Sequence, residues 1–174
     1  MLGQYFYHEI LRKTVIGFGT LFNGIEIRHQ NDDGTDASRM KVPLAYGPMQ
    51  KFLARIEQQP TVQGRPAITL PRMSFEMTDL SYDPSRKASI TQTFKSYNSG
   101  NLNNTKKVFM PVPYNVGFML SIATKLNDDM LQIMEQILPY FQPGLSITLN
   151  LIQSINEKRD IPIVLENINM SDDY

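Results

Sequence analysis

The sequence predicts an α+β fold: a mostly antiparallel twisted sheet with an N-terminal helix, a short second helix and a helix at about 127–141 packed on it. Three observations predict it. Apolar residues recur at helical spacing in three stretches, period-two alternation fills most of the rest, and polar turn residues join successive alternating runs as they do in hairpins.

Leu2, Phe6, Ile10, Val15, Phe18, Leu21 and Phe22 carry the first helical pattern, from about Gln4 to Phe22. Gly17 and Gly19 interrupt it at about 1 kcal/mol each relative to alanine, which implies a kink or a close approach by another backbone. Ile25 and Ile27 alternate with Glu26 and Arg28, NDDGTD supplies a turn, and Met40 to Ala45 resumes the extended pattern as a hairpin. Pro48 then opens a short helix to Gln58 with Met49, Phe52, Leu53 and Ile56 on one face. Gln59 to Pro66 is a polar connection. Met73, Phe75 and Met77 alternate with Ser74, Glu76 and Thr78 as a half-buried strand. After a turn at Asp83–Ser85, Ala88 to Phe94 alternates again and is expected to return alongside it.

Tyr97 to Thr105 (YNSGNLNNT) has the composition of a mobile, projecting loop. Beyond it, apolar residues alternate from Val108 to Ile122. Some 15 residues at about 3.3 Å each span roughly 50 Å, more than the roughly 40 Å diameter of a compact chain of this size. Pro111, Pro113 and Gly117 therefore predict a bent strand, or an arm reaching a neighbour. Met130, Ile133, Met134, Ile137, Leu138 and Phe141 form the clearest amphipathic helix, capped by Asn127 or Asp128 and stopped by Pro139 and Pro143-Gly144. Leu145–Ile152 and Ile161–Leu165 give two further strands around the turn SINEKRD.

The 174 residues are expected to form one domain, 1–174, with a projecting hairpin or loop at about 83–107. Seventeen basic residues balance 17 acidic ones, so no global field draws in nucleic acid or an anionic membrane. There is no cysteine, which removes disulfides, thiolate metal sites and cysteine nucleophiles. The opening residues do not read as a secretory signal, and no apolar run approaches the roughly 20 residues of a membrane span. A soluble chain is expected.

Catalytic, metal and cofactor-binding residues are all read as none. His8 and His29 lack metal-ligand spacing, no G-x-S-x-G elbow occurs, and Gly17-Phe18-Gly19 is a fragment of a dinucleotide fingerprint inside a helical pattern. Asp32, Asp33 and Asp36 lack the further oxygen donors of a calcium loop and read as a solvated hairpin tip. Arg86, Lys87, Lys95, Lys106 and Lys107 form the one local basic cluster, beside Asn98, Asn101, Asn103 and Asn104. The acidic tip and this basic, Asn-rich stretch are the candidate interface. A nucleic-acid-binding accessory protein is the alternative reading of the cations, although specific nucleic-acid binding is not expected. A surface complementary to an acidic protein is the better use.

The stretch LNDDMLQIMEQILPYFQPG resembles the tail completion and sheath stabiliser proteins of contractile-tailed bacteriophages. So do YFYHEILRKTVIGFGTLFNGIEIRH, KVPLAYGPMQKFLARI, LPRMSFEMTDLSYDPSRK and KRDIPIVLENI, in the same order along nearly the whole chain. The resemblance implies a non-enzymatic virion protein, assembled in the host cytoplasm. It would form a six-fold homo-oligomeric ring at the head-proximal end of the tail, touching sheath and tube or terminator proteins on one side and neck or connector proteins on the other. Members of that family usually run on past the segment matching Ile161 to Ile168. A final strand is thus missing, supplied differently, or beyond this sequence.

Overall fold

The computed structural model describes residues 5, 7–31, 33, 36–58, 61–62, 65–66, 69–98, 101–152 and 157–171. Its α+β architecture joins helices α1 (Ile10–Leu21), α2 (Met49–Gln58) and α3 (Asn127–Ile137) to strands that are almost all antiparallel. The strands are β1 (Glu26–Gln30), β2 (Asp36–Lys41), β3 (Leu44–Tyr46), β4 (Thr61–Val62), β5 (Arg65–Pro66), β6 (Arg72–Tyr82), β7 (Thr93–Asn98), β8 (Asn101–Phe109), β9 (Tyr114–Ala123), β10 (Gly144–Ile152) and β11 (Glu157–Val164). Pairing divides them among a central sheet in the order β3-β6-β9 and the hairpins β1-β2, β4-β5, β7-β8 and β10-β11.

The central sheet carries the core because its two faces are covered by different helices. Met73 and Phe75 stand opposite Ile122 and Leu120, so all four share one face. On that face Phe18 of α1 stacks on Phe118 at 4.3 Å and meets Phe75 at 5.5 Å. On the other face Met49 of α2 accepts a hydrogen bond from buried Ser74, and the Arg72 guanidinium lies 4.7 Å over the Phe52 ring. Ile25, Ile27 and Val42 from the first hairpin, with Ile133 and Ile137 from α3, complete the buried cluster.

Helix α1 begins at Ile10, later than the apolar spacing predicts, because Glu9 adopts a left-handed conformation (φ 57°) that breaks the helical run. Leu2 and Phe6 of that pattern lie outside the described residues. The two glycines admit close packing by side chains, not by a neighbouring backbone. A Cβ at Gly17 would stand 2.9 Å from Leu149, and one at Gly19 2.7 Å from the Phe75 ring. Helix α3 starts from Leu126 with no side-chain cap, so Asp128 and Asp129 act instead as acids in its first turn, facing the positive end of the helix dipole. The backbone then tightens into a 3-10 turn at Leu138–Tyr140, where Pro139 contributes no amide hydrogen.

Three strand expectations change. The segment after the first hairpin divides: Glu26 to Gln30 pairs with Asp36 to Lys41, while Leu44–Tyr46 crosses to run parallel to β6. The strand beside β6 is β9, not the segment after Asp83, since residues 88–92 turn through a Ser89–Gln92 hydrogen bond and leave Ile90 exposed. Tyr97 to Thr105 is mostly ladder, with Ser99 and Gly100 outside the described residues. The long alternating run to Ile122 breaks at Met110–Pro113, where two prolines cannot donate to a ladder. Gly117 faces a β-bulge at Thr78, with room for only about 3.1 Å to the Thr78 hydroxyl from any added Cβ.

Candidate interaction surface

The first surface to resolve is the seam between β1 and α3. Gln132 and Gln136 lie one helical turn apart, and both reach the outer edge of β1. Gln132 Oε1 accepts Arg28 N–H at 3.0 Å, while its amide donates to Asp128 Oδ2 at 2.9 Å. Gln136 Oε1 accepts Glu26 N–H at 3.3 Å and its amide donates to Glu26 O at 2.7 Å. Two side-chain amides thus stand where another strand would pair. The grooves beside this seam are open and lined mainly by charged and polar groups, among them Glu26, Arg28, Asp128 and Glu135.

One buried carboxylate sits at the same seam. Asp129 is 4% exposed, and its Oδ1 lies 3.4 Å from His29 Nε2 without the alignment of a hydrogen bond. The pair ties the end of β1 to the first turn of α3. Among the described residues no group of three histidine, aspartate or glutamate side chains could hold a metal ion.

The candidate interface residues divide between the β1-β2 hairpin, the 3-10 turn after β6 and the β7-β8 hairpin. Asp33 is an exposed turn residue between β1 and β2, Asp36 opens β2 opposite Gln30, and Asp32 is outside the described residues. Arg86 belongs to a 3-10 turn (Pro84–Arg86) and is engaged within its own chain: its Nε donates to Asp83 Oδ2 at 2.6 Å, and its Nη2 donates to Asn115 Oδ1. Asp83 also accepts from Ser85 N–H at 2.9 Å and from the Ser85 hydroxyl at 2.5 Å. The Ser85 hydroxyl and then Arg86 hold the Asp83 carboxyl down to about 2. This cluster fastens the end of β6 to the start of β9, helped by Asp83 N–H to Pro113 O at 3.2 Å.

Lys87 is exposed beside that turn. Lys95 and Lys107 are direct cross-strand neighbours in β7-β8, Lys106 stands opposite Ser96, Asn98 faces Asn101 near the hairpin end, and Asn103 and Asn104 lie in β8. Adjacent like charges across a ladder repel, so this hairpin concentrates positive charge without pairing it internally at Lys95 and Lys107.

Residue-by-residue reading passed over the exposed apolar groups. Ile90, Phe109, Val112, Tyr114 and Tyr140 are all well exposed. Tyr82 and Tyr114 meet edge-on at 5.7 Å on the outer end of the β6-β9 ladder, where both strands are exposed. The signal was present as uncharged alternation, but alternation alone does not say whether a strand's second edge is filled. No helix among the described residues is long and apolar enough to cross a membrane.

Comparison with known proteins places the chain in a family. The T4-like virus Myoviridae tail sheath stabiliser family matches residues 5–174. The tail completion protein gp15 of Enterobacteria phage T4 is 32% identical over 168 residues, 92% of this chain. The match spans 60% of that relative's length. With nearly its whole length matched, the chain belongs to the T4-like Myoviridae tail sheath stabiliser family.

Proposed function

We propose that this chain is a non-enzymatic structural virion protein that closes into a ring of six copies at the head-proximal end of a contractile tail. There it caps and stabilises the last sheath and tube ring and offers a second surface to the neck. Its partners are copies of itself, the sheath and tube or terminator proteins, and neck or connector proteins. The six-fold order and the position on the tail rest on family resemblance.

The observation that carries the assembly reading is surface area. The chain exposes 13565 Å², whereas a folded monomer of its mass exposes about 8,700 Å² by the usual scaling of area with size. Ile90, Phe109, Val112 and Tyr140 stay exposed although apolar, and such side chains gain by being covered. A head-to-tail interface gives each subunit two such contacts and closes when its rotation closes.

Electron microscopy of the purified protein, alone and with isolated tails, tests symmetry and docking site together. Six-fold rings seated at one tail end are expected. Protein that stays monomeric at high concentration and fails to bind tail ends overturns the reading. The juxtaposed Lys95 and Lys107 favour the second reading, a nucleic-acid accessory role. Under it, DNA affinity falls steeply with salt and is abolished by charge reversal at Lys106 and Lys107; absence of binding at low salt eliminates it.

A further inference from the structure

Most strand edges of this fold carry a device against further pairing. The outer edge of β1 is closed by Gln132 and Gln136. β2 carries Arg39 and Lys41, and β11 carries Lys158, Arg159, Asp160 and Pro162. Leu151 O in β10 accepts a hydrogen bond from Lys13 Nζ at 2.9 Å. Charges, proline and covering side chains are the usual means of blunting an edge.

Beyond the Arg86 contact with Asn115 at its start, β9 shows none of these among the described residues. Its ten residues, YNVGFMLSIA, contain no charge and no proline. One side pairs with β6 along its whole length, and no strand among the described residues pairs with the other. A long, uncharged, apolar edge is a template for strand addition.

The same chain carries a strand-patterned segment without a ladder. After β11, Leu165 N–H is held by Pro143 O at 3.2 Å, and residues 165–171 belong to no strand. Asn167, Ile168, Asn169 and Met170 alternate strictly, yet Ile168 is 43% and Met170 61% exposed. Period-two alternation is the mark of a strand with one covered face, and here nothing among the described residues covers it.

We infer that in the assembled ring the segment Leu165–Met170 of one copy adds as an antiparallel strand to the free edge of β9 in its neighbour. The inference rests on the ring reading and names its contact. Charge selects the direction: in antiparallel addition Glu166 falls opposite Ile122, at the end of β9 that leads to Lys125, whereas parallel addition on the same face sets it opposite Val116, next to the Gly117 position that pairs with Asp79 of β6. The matching register sets Asn169 opposite Met119. Ile168 and Met170 then fall opposite Leu120 and Phe118 and extend the apolar row on the α1 face. Each copy donates one strand and accepts one, as a head-to-tail ring requires.

The chain has no cysteine, so single cysteines report this contact without background. Met119→Cys and Asn169→Cys proteins, purified separately, mixed and oxidised, are expected to form an interchain disulfide; Ser81→Cys mixed with Asn169→Cys is not. Because each protein carries one thiol, the bond can form only between copies. The double variant Ile168→Asp/Met170→Asp, with unchanged circular dichroism and melting, is expected to weaken self-association at least tenfold. Parent protein that does not self-associate overturns the ring reading. Self-association that persists in the double variant, without the Met119–Asn169 bond, overturns the strand contact alone.

Discussion

Gln136 of α3 pairs with both backbone groups of Glu26, accepting its N–H at 3.3 Å and donating to its O at 2.7 Å. A helix side chain therefore occupies the place of a strand. One turn earlier Gln132 repeats half the contact at Arg28. The seam is exposed, so water partly replaces what is lost. Gln136→Ala is expected to cost about 1 kcal/mol, the net value of a typical protein hydrogen bond. Adding Gln132→Ala is expected to cost more than either alone, read by urea unfolding. No change in the double variant would remove the edge-closing role.

The glycines of α1 make a sharper test because two effects oppose each other. Alanine improves helix propensity by about 1 kcal/mol, but a Cβ at position 19 would lie 2.7 Å from the Phe75 ring. That ring also packs against Phe18 and Tyr46 and has little freedom to retreat. Gly19→Ala is expected to destabilise by about 1–3 kcal/mol, the usual cost of overpacking. At Gly17 the nearest atom is a Leu149 methyl, the far end of a flexible side chain, so Gly17→Ala is expected to be milder. Equal melting temperatures for the two variants would count against this packing account.

Ile133 is fully buried where α3 meets the core, whereas Leu131 on the same helix is 49% exposed. Ile133→Ala is expected to cost about 2–5 kcal/mol through lost burial and the cavity left behind. Leu131→Ala is expected to stay within about 0.5 kcal/mol in the unassembled protein, as exposed sites do. Denaturant melts at fixed protein concentration distinguish the two.

Acid sensitivity should have a component at the root of the β6-β9 ladder. The Ser85 hydroxyl and the Arg86 guanidinium lower the Asp83 pKa from 3.8 to about 2. A carboxylate lowered in the folded state stabilises it fully above the unfolded value and loses that contribution as pH falls through the folded one. The difference in melting temperature between parent and Asp83→Asn is therefore expected to be constant above about pH 5 and to shrink from about pH 4 to about pH 2. A difference that persists undiminished at pH 2 would show that the charge is not its source.

The helices were legible because their signal is local. Met49–Gln58 and the apolar positions of α3 follow from side chains three and four residues apart on one face. The family was legible too, since five segments retain their order along nearly the whole chain. Strand partners were less so. Period-two spacing marks both Ala88–Phe94 and Val108–Ile122 as extended, yet it contains nothing that selects which of them lies beside β6.

Of the candidate interface residues, position in the fold distinguishes groups that composition had merged. Arg86 is occupied by Asp83 and Asn115, while Lys95 and Lys107 are set side by side. The sequence alone determined the α+β class, the three helical segments and the kinship, because these depend on neighbours along the chain and on segment order. Only the tertiary structure decided that β9 fills the place beside β6, that glutamines close β1, and that no strand among the described residues pairs with the other edge of β9. Those outcomes depend on which distant backbone groups find partners, and hydrogen-bond pairing across the chain leaves no periodic trace in either segment.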